Sequence, residues 1–478
     1  MRQARAGGTD ADETDKEFMV AEGSGYDIVI LGGGSGGYAC ALRAAELGKR
    51  VALIEKDKVG GTCLHRGCIP TKALLHAAEL ADDARESKAF GVLATLDGID
   101  MAGVNAYKNK VVTRLWKGLQ GLISSRHIEV IQGDGRLVSP TQVKVGDSVI
   151  EGAHIVLATG SEPRSLPGLA IDGQRVITSD QALMLDRVPS SVVILGGGVI
   201  GVEFASVWRS FGAEVTIVEM LPHLLPPEEE SSSKLLERAF RRRGIGQQLG
   251  VRFEGVKQTD SGVTVTLEGG TTIDAELLLV AVGRGPLSAG LGYEDAGVAV
   301  ERGFVIVDQY CQTNVPTISA VGDLTPGPQL AHVGFGEGIM VAERLAGLPV
   351  TPIEYDGVPR VTYSDPEVAS VGITSAIAAQ RGIETVEVTY DLAANGKSQI
   401  LQTQGAAKVI STAGGGPVLG IHLVGARVGE LIAEAQLIYN WEALPSEVAQ
   451  LIHPHPTQSE AIGEAHLALA GKPLHFHA

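Results

Sequence analysis

The sequence predicts an α/β protein with two β-α-β units and a separate α+β domain at its C-terminal end. The first observation is an internal repeat, because segments 26–56 and 191–220 superimpose without a gap. The second is that each segment passes from a continuous apolar strand through a glycine turn and an apolar-periodic helix into another strand. The third is a change after Pro352, where alternating strands and two helices follow.

Both copies of the repeat carry the glycine pattern G-x-G-x-x-G followed by an acidic residue. In this pattern the first glycine makes a tight turn, the second leaves room for a pyrophosphate, and the third lets the helix pack on the strand. The acid ends the second strand, where a carboxylate accepts hydrogen bonds from an adenosine ribose. The sequence therefore predicts two bound dinucleotides, one at Gly32, Gly34, Gly37 and Glu55, the other at Gly196, Gly198, Gly201 and Glu219.

The residues around Glu219 predict which dinucleotide the second copy prefers. A 2′-phosphate would be repelled by this carboxylate, and Met220 and Leu221 follow it with no arginine to receive the phosphate. Such repulsion is worth at most a few kcal/mol in a partly solvated site. We therefore expect a preference for NAD over NADP.

A cysteine pair follows the first copy, in the run from Gly60 to Lys72. A regular helix would hold the Cα atoms of Cys63 and Cys68 roughly 8 to 9 Å apart, beyond the roughly 7 Å limit for a disulfide. The segment must therefore bend, and Gly67 is the residue best able to allow it, ahead of a helix starting at Pro70. Two buried, unlinked cysteines are the alternative. The glycine-rich surroundings favour a redox-active disulfide.

Length and composition are typical of a multidomain enzyme. The 478 residues suggest about three domains, and the net charge of −17 argues against a nucleic-acid partner. No apolar run approaches the roughly 20 residues that span a bilayer. Four cysteines do not form a disulfide scaffold, so we expect a cytoplasmic protein whose cysteine pair is catalytic. Residues 1–23 are expected to be a disordered tail, and the Arg241–Arg243 run to favour the dipole of a helix from Ser232.

A histidine-rich motif near the C-terminal end, His453-Pro-His455-Pro-Thr-Gln-Ser-Glu460, offers a base for thiol chemistry. An ordinary cysteine is mostly protonated at neutral pH, and thiol–disulfide exchange needs the thiolate. Histidine is suited to accept that proton, and a carboxylate such as Glu460 can orient its ring. The residues alone do not decide between His453 and His455.

From Tyr26 onward the chain resembles the pyridine nucleotide-disulfide oxidoreductases. The resemblance rests on the following segments: Gly32–Gly37, Gly60–Lys72, Ala158–Ser161, Gly196–Glu203, Gly283, Gly322–Asp323, Gln329–His332 and His453–Glu460.

This resemblance implies two Rossmann-like dinucleotide-binding domains, for FAD and NAD, plus a C-terminal α+β dimerisation domain. The implied bounds are 24–156 and 286–353 for the two parts of the FAD domain, 157–285 for the NAD domain and 354–478 for the dimerisation domain. The family places FAD against Gly32, Gly34, Gly37, Glu55, Lys56, Gly61, Thr62, Lys72, Gly135, Thr159, Gly160, Ser161, Asp323, Gln329, Leu330, Ala331 and His332. It places NAD against Gly196, Gly198, Val199, Ile200, Gly201, Glu203, Glu219, Phe253 and Gly283.

The family register also assigns roles to the catalytic residues. It makes Cys63 the interchange thiol, Cys68 the thiol beside the flavin, and His455 the base, with Glu460 as its partner. Lys72 is expected to pair with Glu203 near the flavin. The implied reaction is the oxidation of protein-bound dihydrolipoamide to lipoamide with reduction of NAD to NADH.

Implied partners are a second copy of the chain, whose site receives His455, and the lipoyl domains of 2-oxo acid dehydrogenase or glycine cleavage complexes. No metal or membrane partner is expected. One departure from relatives is His65-Arg66 between the cysteines, where the Arg66 charge is a candidate for lowering a thiol pKa. Cys40, on the helix of the first copy, and Cys311, in a strand-like stretch, have no predicted role.

Three other functions fit parts of the sequence. A reductase of glutathione or a similar disulfide would use the same scaffold but predicts NADP and basic residues near the second copy, which Glu219 opposes. Mercuric reduction would want a cysteine in the terminal segment 470–478, and there is none. A scaffold protein without catalysis would not need Cys63, Cys68, His455 and Glu460 together.

Overall fold

A computed structural model describes residues 25–476 of the chain. The expected N-terminal tail, residues 1–23, lies outside the described residues. Both predicted β-α-β units form, each with its two strands paired in parallel within one sheet, and a C-terminal domain is built on an antiparallel sheet. This confirms the predicted α/β class.

The first sheet contains the first copy of the repeat. Its central strand, Tyr26–Leu31, pairs in parallel with Val51–Glu55 on one side and Ser148–Leu157 on the other. A late segment of the chain, Ile318–Ala320, returns to pair in parallel with Ser148–Leu157. The sheet is completed by Glu129–Gln132, Gly135–Ser139 and Gln142–Val145.

The second sheet repeats this arrangement around Ser191–Leu195, which pairs in parallel with Glu214–Glu219 and Leu277–Val280. Gly246–Leu249 and Val176–Ile177 form its edges. An antiparallel sheet of Phe253–Gln258, Val263–Leu267 and Thr272–Ala275 lies beyond it, and two short ribbons pair Ser161–Pro163 with Arg284–Pro286 and Val300–Glu301 with Phe304–Val305.

The helices of the two nucleotide-binding units cover these sheets. The helix of the second copy is buried on nearly every side, because it packs on its own sheet and on the long helix that follows the cysteine pair. The helices are Ser35–Glu46, Gly61–Arg66, Cys68–Glu86, Met101–Ser125, Ser179–Ala182, Val199–Phe211, Glu230–Arg242 and Ala331–Leu345.

The C-terminal domain contains a five-stranded antiparallel sheet. The alternating strands predicted after Pro352 are present, and the sheet has one further strand, Glu367–Gly372, which the sequence does not predict because its buried, small residues show no alternation. The two predicted helices are Val428–Asn440 and Glu460–Leu469. The remaining strands are Arg360–Thr362, Thr385–Asp391, Ala406–Thr412 and Val418–Gly425, and the shorter helices are Ser375–Gln380, Gly396–Leu401 and Pro445–Val448.

Two local expectations were wrong. Cys311 lies in a turn with a φ of 59°, and not in a strand. The helix after the cysteine loop begins at Cys68 instead of Pro70, which occupies the first turn, where its missing N–H leaves no hydrogen bond unmade. Within residues 25–476 no helix is both long and apolar enough to cross a bilayer.

Candidate active site

A single cavity of about 1840 Å³ runs between the two β-α-β units and past the cysteine pair. Its walls come from both glycine turns, from the loop with the cysteines and from the start of the C-terminal sheet. The cavity therefore connects the two predicted dinucleotide sites with the predicted redox site.

The glycines of the first turn are shaped for a pyrophosphate. Gly32 has a φ of 108°, and a Cβ there would lie 2.3 Å from the Ala158 carbonyl oxygen. A Cβ at Gly37 would lie 1.9 Å from the Gly32 oxygen, so the helix packs tightly on the turn. A Cβ at Gly34 would meet nothing within 4 Å, which leaves open space at the N-terminus of the Ser35–Glu46 helix, where phosphates bind. The second turn repeats these features at Gly196, Gly201 and Gly198.

The acids at the ends of the second strands also behave alike in the two copies. A carboxylate oxygen of Glu55 accepts a hydrogen bond from the Gly33 N–H at 2.7 Å, and Glu219 accepts one from the Gly197 N–H at 2.7 Å. Each acid thus stabilises its own glycine turn by a hydrogen bond, and it also lines the cavity beside that turn. Met220 and Leu221, which follow Glu219, line the same wall.

The cysteine loop bends where the sequence predicts. The helix Gly61–Arg66 ends at Gly67, whose φ of −147° and ψ of −111° break the helical path before Cys68 begins the next helix. Cys63 and Cys68 are free thiols close enough to share a hydrogen bond, and both line the cavity. The pair is therefore positioned as one dithiol at the surface of the cavity.

The two thiols have opposite acidities. The hydrogen bond from Cys63 lowers the pKa of Cys68 to about 7, against the effect of burial and with the help of the Lys72 ammonium. The same hydrogen bond, together with burial, raises the pKa of Cys63. Cys68 is consequently the thiolate of the pair near neutral pH.

Lys72 is held by two contacts beside the thiols. Its Nζ lies 2.9 Å from both carboxylate oxygens of Glu203, a buried residue of the second-copy helix. It also lies 4.7 Å from the centre of the Tyr363 ring, and the Tyr363 N–H donates to Glu203 at 3.0 Å. Burial acts to lower the pKa of Lys72, but Glu203 outweighs it and raises the pKa. A cation is thereby kept next to Cys68.

We predict that the thiolate signal of the reduced protein rises with pH through about 7, because Cys68 ionises there. Lys72→Met should move this midpoint upward by about one pH unit, since a neighbouring opposite charge favours the ionised form. The measurement is a pH titration of the ultraviolet thiolate absorbance or of the thiolate-to-flavin band. An unchanged midpoint in Lys72→Met would contradict the role of this cation. The charged and titratable groups that face Cys68 are Cys63, Lys72, Glu203, Tyr38 and Arg284.

The suggestion that Arg66 lowers a thiol pKa is not supported. Its guanidinium forms an exposed ion pair with Asp57 and is absent from the main influences on either thiol. His65 instead fixes the loop, because its Nε2 lies 3.0 Å from the Val59 carbonyl oxygen and its ring meets the Trp116 ring edge-on.

A polar chain that the sequence did not reveal links the predicted flavin contacts to the cysteine loop. Ser161 donates to the Asp323 carboxylate at 2.6 Å, and Arg284 donates to Ser161 Oγ at 2.8 Å. Arg284 also lies 3.5 Å from Thr62, next to Cys63. Arg284 follows the predicted contact Gly283, but its partners are distant in sequence, so only a spatial arrangement could identify it.

The histidine motif lies apart from the cavity of its own chain. His455 Nδ1 is 2.8 Å from Glu460, and the side chain of His455 is 75% exposed. Burial acts to raise the pKa of Glu460, but the Thr457 N–H and the His455 ring lower it. Neither His455 nor Glu460 lines the cavity. The pair has the geometry of an oriented base presented to another surface.

His453 has a different environment. Its Nε2 lies 2.7 Å from Glu434, whose hydrogen bond raises the pKa of the ring. The ring is largely covered and packs against Gly463, so it joins two helices of the domain.

Cys40 and Cys311 are buried, and burial raises the pKa of both thiols. Neither of them, nor His453, lines the cavity.

The cavity gathers most of the residues predicted from the sequence. Gly37 and Gly201 do not line it because they are the helix-packing glycines. The predicted residues that do line it are Gly32, Gly34, Glu55, Lys56, Gly61, Thr62, Cys63, Cys68, Lys72, Gly135, Thr159, Gly160, Ser161, Gly196, Gly198, Val199, Ile200, Glu203, Glu219, Phe253, Gly283, Asp323, Gln329, Leu330, Ala331 and His332.

A family model described as pyridine nucleotide-disulphide oxidoreductase matches residues 26–338, which include both glycine turns and the cysteine pair. The chain belongs to this family. The family's dimerisation domain matches residues 358–466, which indicates that the chain forms a homodimer. The protein is thus an NAD-dependent flavoprotein disulfide oxidoreductase, as the resemblance implied.

Curated relatives match along nearly the whole chain. Dihydrolipoyl dehydrogenase of Bacillus subtilis is 41% identical over 94% of this chain and 99% of the relative. Mitochondrial dihydrolipoyl dehydrogenase of Pisum sativum is 38% identical over 94% of this chain and 92% of the relative. Among solved structures, LpdA from Mycobacterium tuberculosis superimposes with a TM-score of 0.86 at 29% identity, covering 92% of this chain and 99% of LpdA.

The family uses FAD and NAD, and the residues of this chain fit both groups. Each glycine turn offers the free space and helix N-terminus that a pyrophosphate needs, and each has an acid beside it for a ribose. The cysteine loop and Lys72 lie on the cavity between the turns, where a redox group would meet the dithiol.

Proposed function

We propose that the protein oxidises protein-bound dihydrolipoamide to lipoamide and reduces NAD to NADH. The observation that carries the proposal is the Cys63–Cys68 dithiol on the cavity that joins two dinucleotide-shaped turns. Dihydrolipoyl dehydrogenases that are 36–41% identical over nearly the full chain support the choice of substrate. The proposed domain bounds remain 24–156, 157–285, 286–353 and 354–478.

The chain's own residues would perform a thiol–disulfide exchange. A substrate thiolate attacks Cys63 Sγ of the oxidised pair, the Cys63–Cys68 bond breaks, and Cys68 leaves as a thiolate. The second substrate thiol attacks the substrate sulfur of the mixed disulfide, the lipoyl ring closes, and the proton of that thiol passes to Cys63 as it leaves. The substrate loses two electrons and the protein disulfide gains them.

The low pKa of Cys68 makes it the better leaving group, because a leaving thiol departs faster as its pKa falls. The cation of Lys72 stabilises the charge that then develops beside the cavity. When bound, FAD supplies the two-electron acceptor between this dithiol and NAD. The proposed flavin and nicotinamide contacts are the lining residues predicted from the sequence.

We assign His455 as the base for the substrate thiol, acting in the site of the other subunit. Its exposed ring and its distance from the cavity of its own chain support this assignment. Glu460 orients Nδ1 and stabilises the imidazolium that forms. The proposed partners are the lipoyl domains of 2-oxo acid dehydrogenase or glycine cleavage complexes, in the cytoplasm.

A direct assay distinguishes this function from that of a low-molecular-weight disulfide reductase. The purified protein with FAD should form NADH from dihydrolipoamide and NAD, and at least about tenfold more slowly with NADP, because Glu219 repels a 2′-phosphate. It should not oxidise NADPH with glutathione disulfide at a comparable rate. Faster turnover with glutathione disulfide and NADPH than with dihydrolipoamide and NAD would overturn the proposal.

A further inference from the structure

Three separate segments of the chain meet twice along one seam. The helix Cys68–Glu86, the helix Val199–Phe211 and the segment 363–365 first meet beside the cavity, through Lys72, Glu203 and Tyr363. The same three segments meet again at Asp82, ten residues after Lys72 on the first helix. At a rise of 1.5 Å per residue, the two meeting points are about 15 Å apart along that helix. The second meeting is centred on Arg243.

Arg243 contacts all three segments with one guanidinium group. It donates to Asp82 of the first helix at 3.1 Å and to Ser210 of the second at 2.7 Å. It donates to the Asp365 carbonyl oxygen at 2.8 Å and lies 3.2 Å from the Asp365 carboxylate. Ser210 also donates to Asp82 at 2.5 Å. We name Arg243, Asp82, Ser206, Ser210 and Asp365 the Arg243 junction.

The helix Val199–Phe211 connects the junction directly to the cavity. Glu203, Ser206 and Ser210 occupy positions i, i+3 and i+7, so they share one face of this helix. All three are buried, at 3%, 2% and 3% exposed, on a helix whose other buried residues are mostly apolar. Ser206 accepts the Asp365 N–H at 3.1 Å, as Glu203 accepts the Tyr363 N–H. One polar stripe therefore joins Lys72 to Arg243.

The charges around the junction require the arginine. Burial raises the pKa of Glu86, and the neighbouring carboxylates Asp82 and Asp365 raise it further, whereas Arg243 lowers it. Without the guanidinium, acidic groups from different segments would face one another and repel. A lysine is a point charge and lacks the planar fork that contacts several partners at once.

Arg243 differs from the two arginines that precede it. Arg241 and Arg242 lie exposed in the last turn of the Glu230–Arg242 helix, as expected from its dipole, whereas the Arg243 side chain is only 18% exposed. The expectation for the whole run was therefore wrong for Arg243, because its partners come from segments distant in sequence.

We propose that Arg243 is a positioning residue, which holds the three segments in register and so keeps Lys72 in contact with Glu203 and Tyr363 beside Cys68. The role rests on the proposed redox function of the cysteine pair. It assigns no contact between Arg243 and any reacting atom.

The test compares Arg243→Gln with Arg242→Gln in the full-length, FAD-loaded protein. Each variant removes one positive charge from the same helix end, but only Arg243→Gln removes the contacts of the Arg243 junction. The comparison therefore separates the effect of those contacts from the effect of net charge. The protein is reduced anaerobically with one equivalent of dithiol, and the thiolate-to-flavin absorption band is titrated with pH. Arg243→Gln should raise the midpoint by about 0.3 to 1 pH unit, because a displaced Lys72 stabilises the Cys68 thiolate less.

Arg243→Lys, which keeps the charge but not the fork, should shift the midpoint in the same direction by a smaller amount. Arg242→Gln should retain the original midpoint. If Arg243→Gln does not bind flavin, Asp82→Asn provides the measurement, since it removes one arm of the junction and should also raise the midpoint.

The outcomes separate two kinds of failure. Absence of the band in the unmodified protein would overturn the proposed function itself. A normal band with the same midpoint in Arg243→Gln, or in Asp82→Asn where that variant stands in for it, would overturn only the positioning role. Equal shifts in Arg243→Gln and Arg242→Gln would attribute the effect to net charge and would also overturn it.

Discussion

Replacing Cys68 by serine should abolish the long-wavelength band and reduce turnover of dihydrolipoamide by about 1000-fold or more. The band requires a thiolate beside the flavin, and Cys68 is the thiol whose pKa lies near 7. A serine hydroxyl neither ionises near neutral pH nor forms a disulfide with Cys63. The measurements are the visible spectrum after one equivalent of dithiol and the steady-state rate of NADH formation.

Cys63→Ser is the matched control for this result, because it removes the other sulfur of the same pair. It should eliminate disulfide turnover but keep a thiolate at Cys68, and therefore keep the band. Cys63→Ala, which removes the hydrogen-bond donor as well as the sulfur, should in addition raise the pH midpoint of the band, since that bond is the largest influence lowering the pKa of Cys68. If the band survives in Cys68→Ser and disappears in Cys63→Ser, then Cys63 is the thiolate beside the flavin and Cys68 is the interchange thiol, which would contradict this assignment.

Replacing His455 by alanine should slow dithiol oxidation by roughly 100-fold to 10,000-fold, the usual contribution of a general base. Flavin content should not change, because the predicted flavin contacts line the cavity and do not include His455. Steady-state and single-turnover rates of dihydrolipoamide oxidation measure the effect, together with the flavin-to-protein ratio. Reduction of the flavin by NADH, which needs no substrate thiol, should remain near normal.

His475→Ala is a suitable control for His455→Ala. His475 Nδ1 also lies 2.8 Å from a carboxylate, that of Glu464, one turn along the helix that carries Glu460. Both histidine rings are mostly exposed. His475→Ala should leave dithiol oxidation unchanged. Near-normal oxidation in His455→Ala, or an equal loss in both variants, would exclude His455 as the base.

The subunit arrangement can be tested with the same variants. A mixed dimer of His455→Ala and Cys63→Ser subunits should contain one site with both intact residues if the base acts across the interface. Such a dimer should recover about half of the original activity, one site of two, whereas each parent has little. No recovery in isolated mixed dimers would place the base and the cysteines in the same subunit.

Much of the molecule could be predicted because its determinants are local in the sequence. The glycine turns need a positive φ at Gly32 and a close approach of backbone atoms at Gly37, which only glycine allows. The spacing of these glycines in the sequence therefore predicts the turn. The bend at Gly67 follows from the spacing of Cys63 and Cys68, which a continuous helix could not bring together. The repeated strand, glycine turn, helix and strand similarly predicted the two β-α-β units, which the parallel strand pairs confirm.

Other features could not be predicted because they depend on which distant segments meet. Tyr363, which follows the strand Arg360–Thr362, and Arg284 reach the cavity from segments far along the chain from the cysteines. The sequence does not predict the strand Glu367–Gly372, because burial on both faces removes the alternation that identifies a half-exposed strand. The expectation for Arg66 was wrong for a different, local reason, because its guanidinium pairs with Asp57, nine residues away, and not with a thiol.

The sequence by itself determined the repeated nucleotide-binding units, the bent cysteine loop and the two acids of the glycine turns, because steric and covalent limits act within a few residues. Only the tertiary structure decided that Tyr363 joins Lys72 and Glu203 beside Cys68, and which segments Arg243 holds together. Those outcomes depend on distances between segments more than 100 residues apart, and on the burial that makes each charge require a partner.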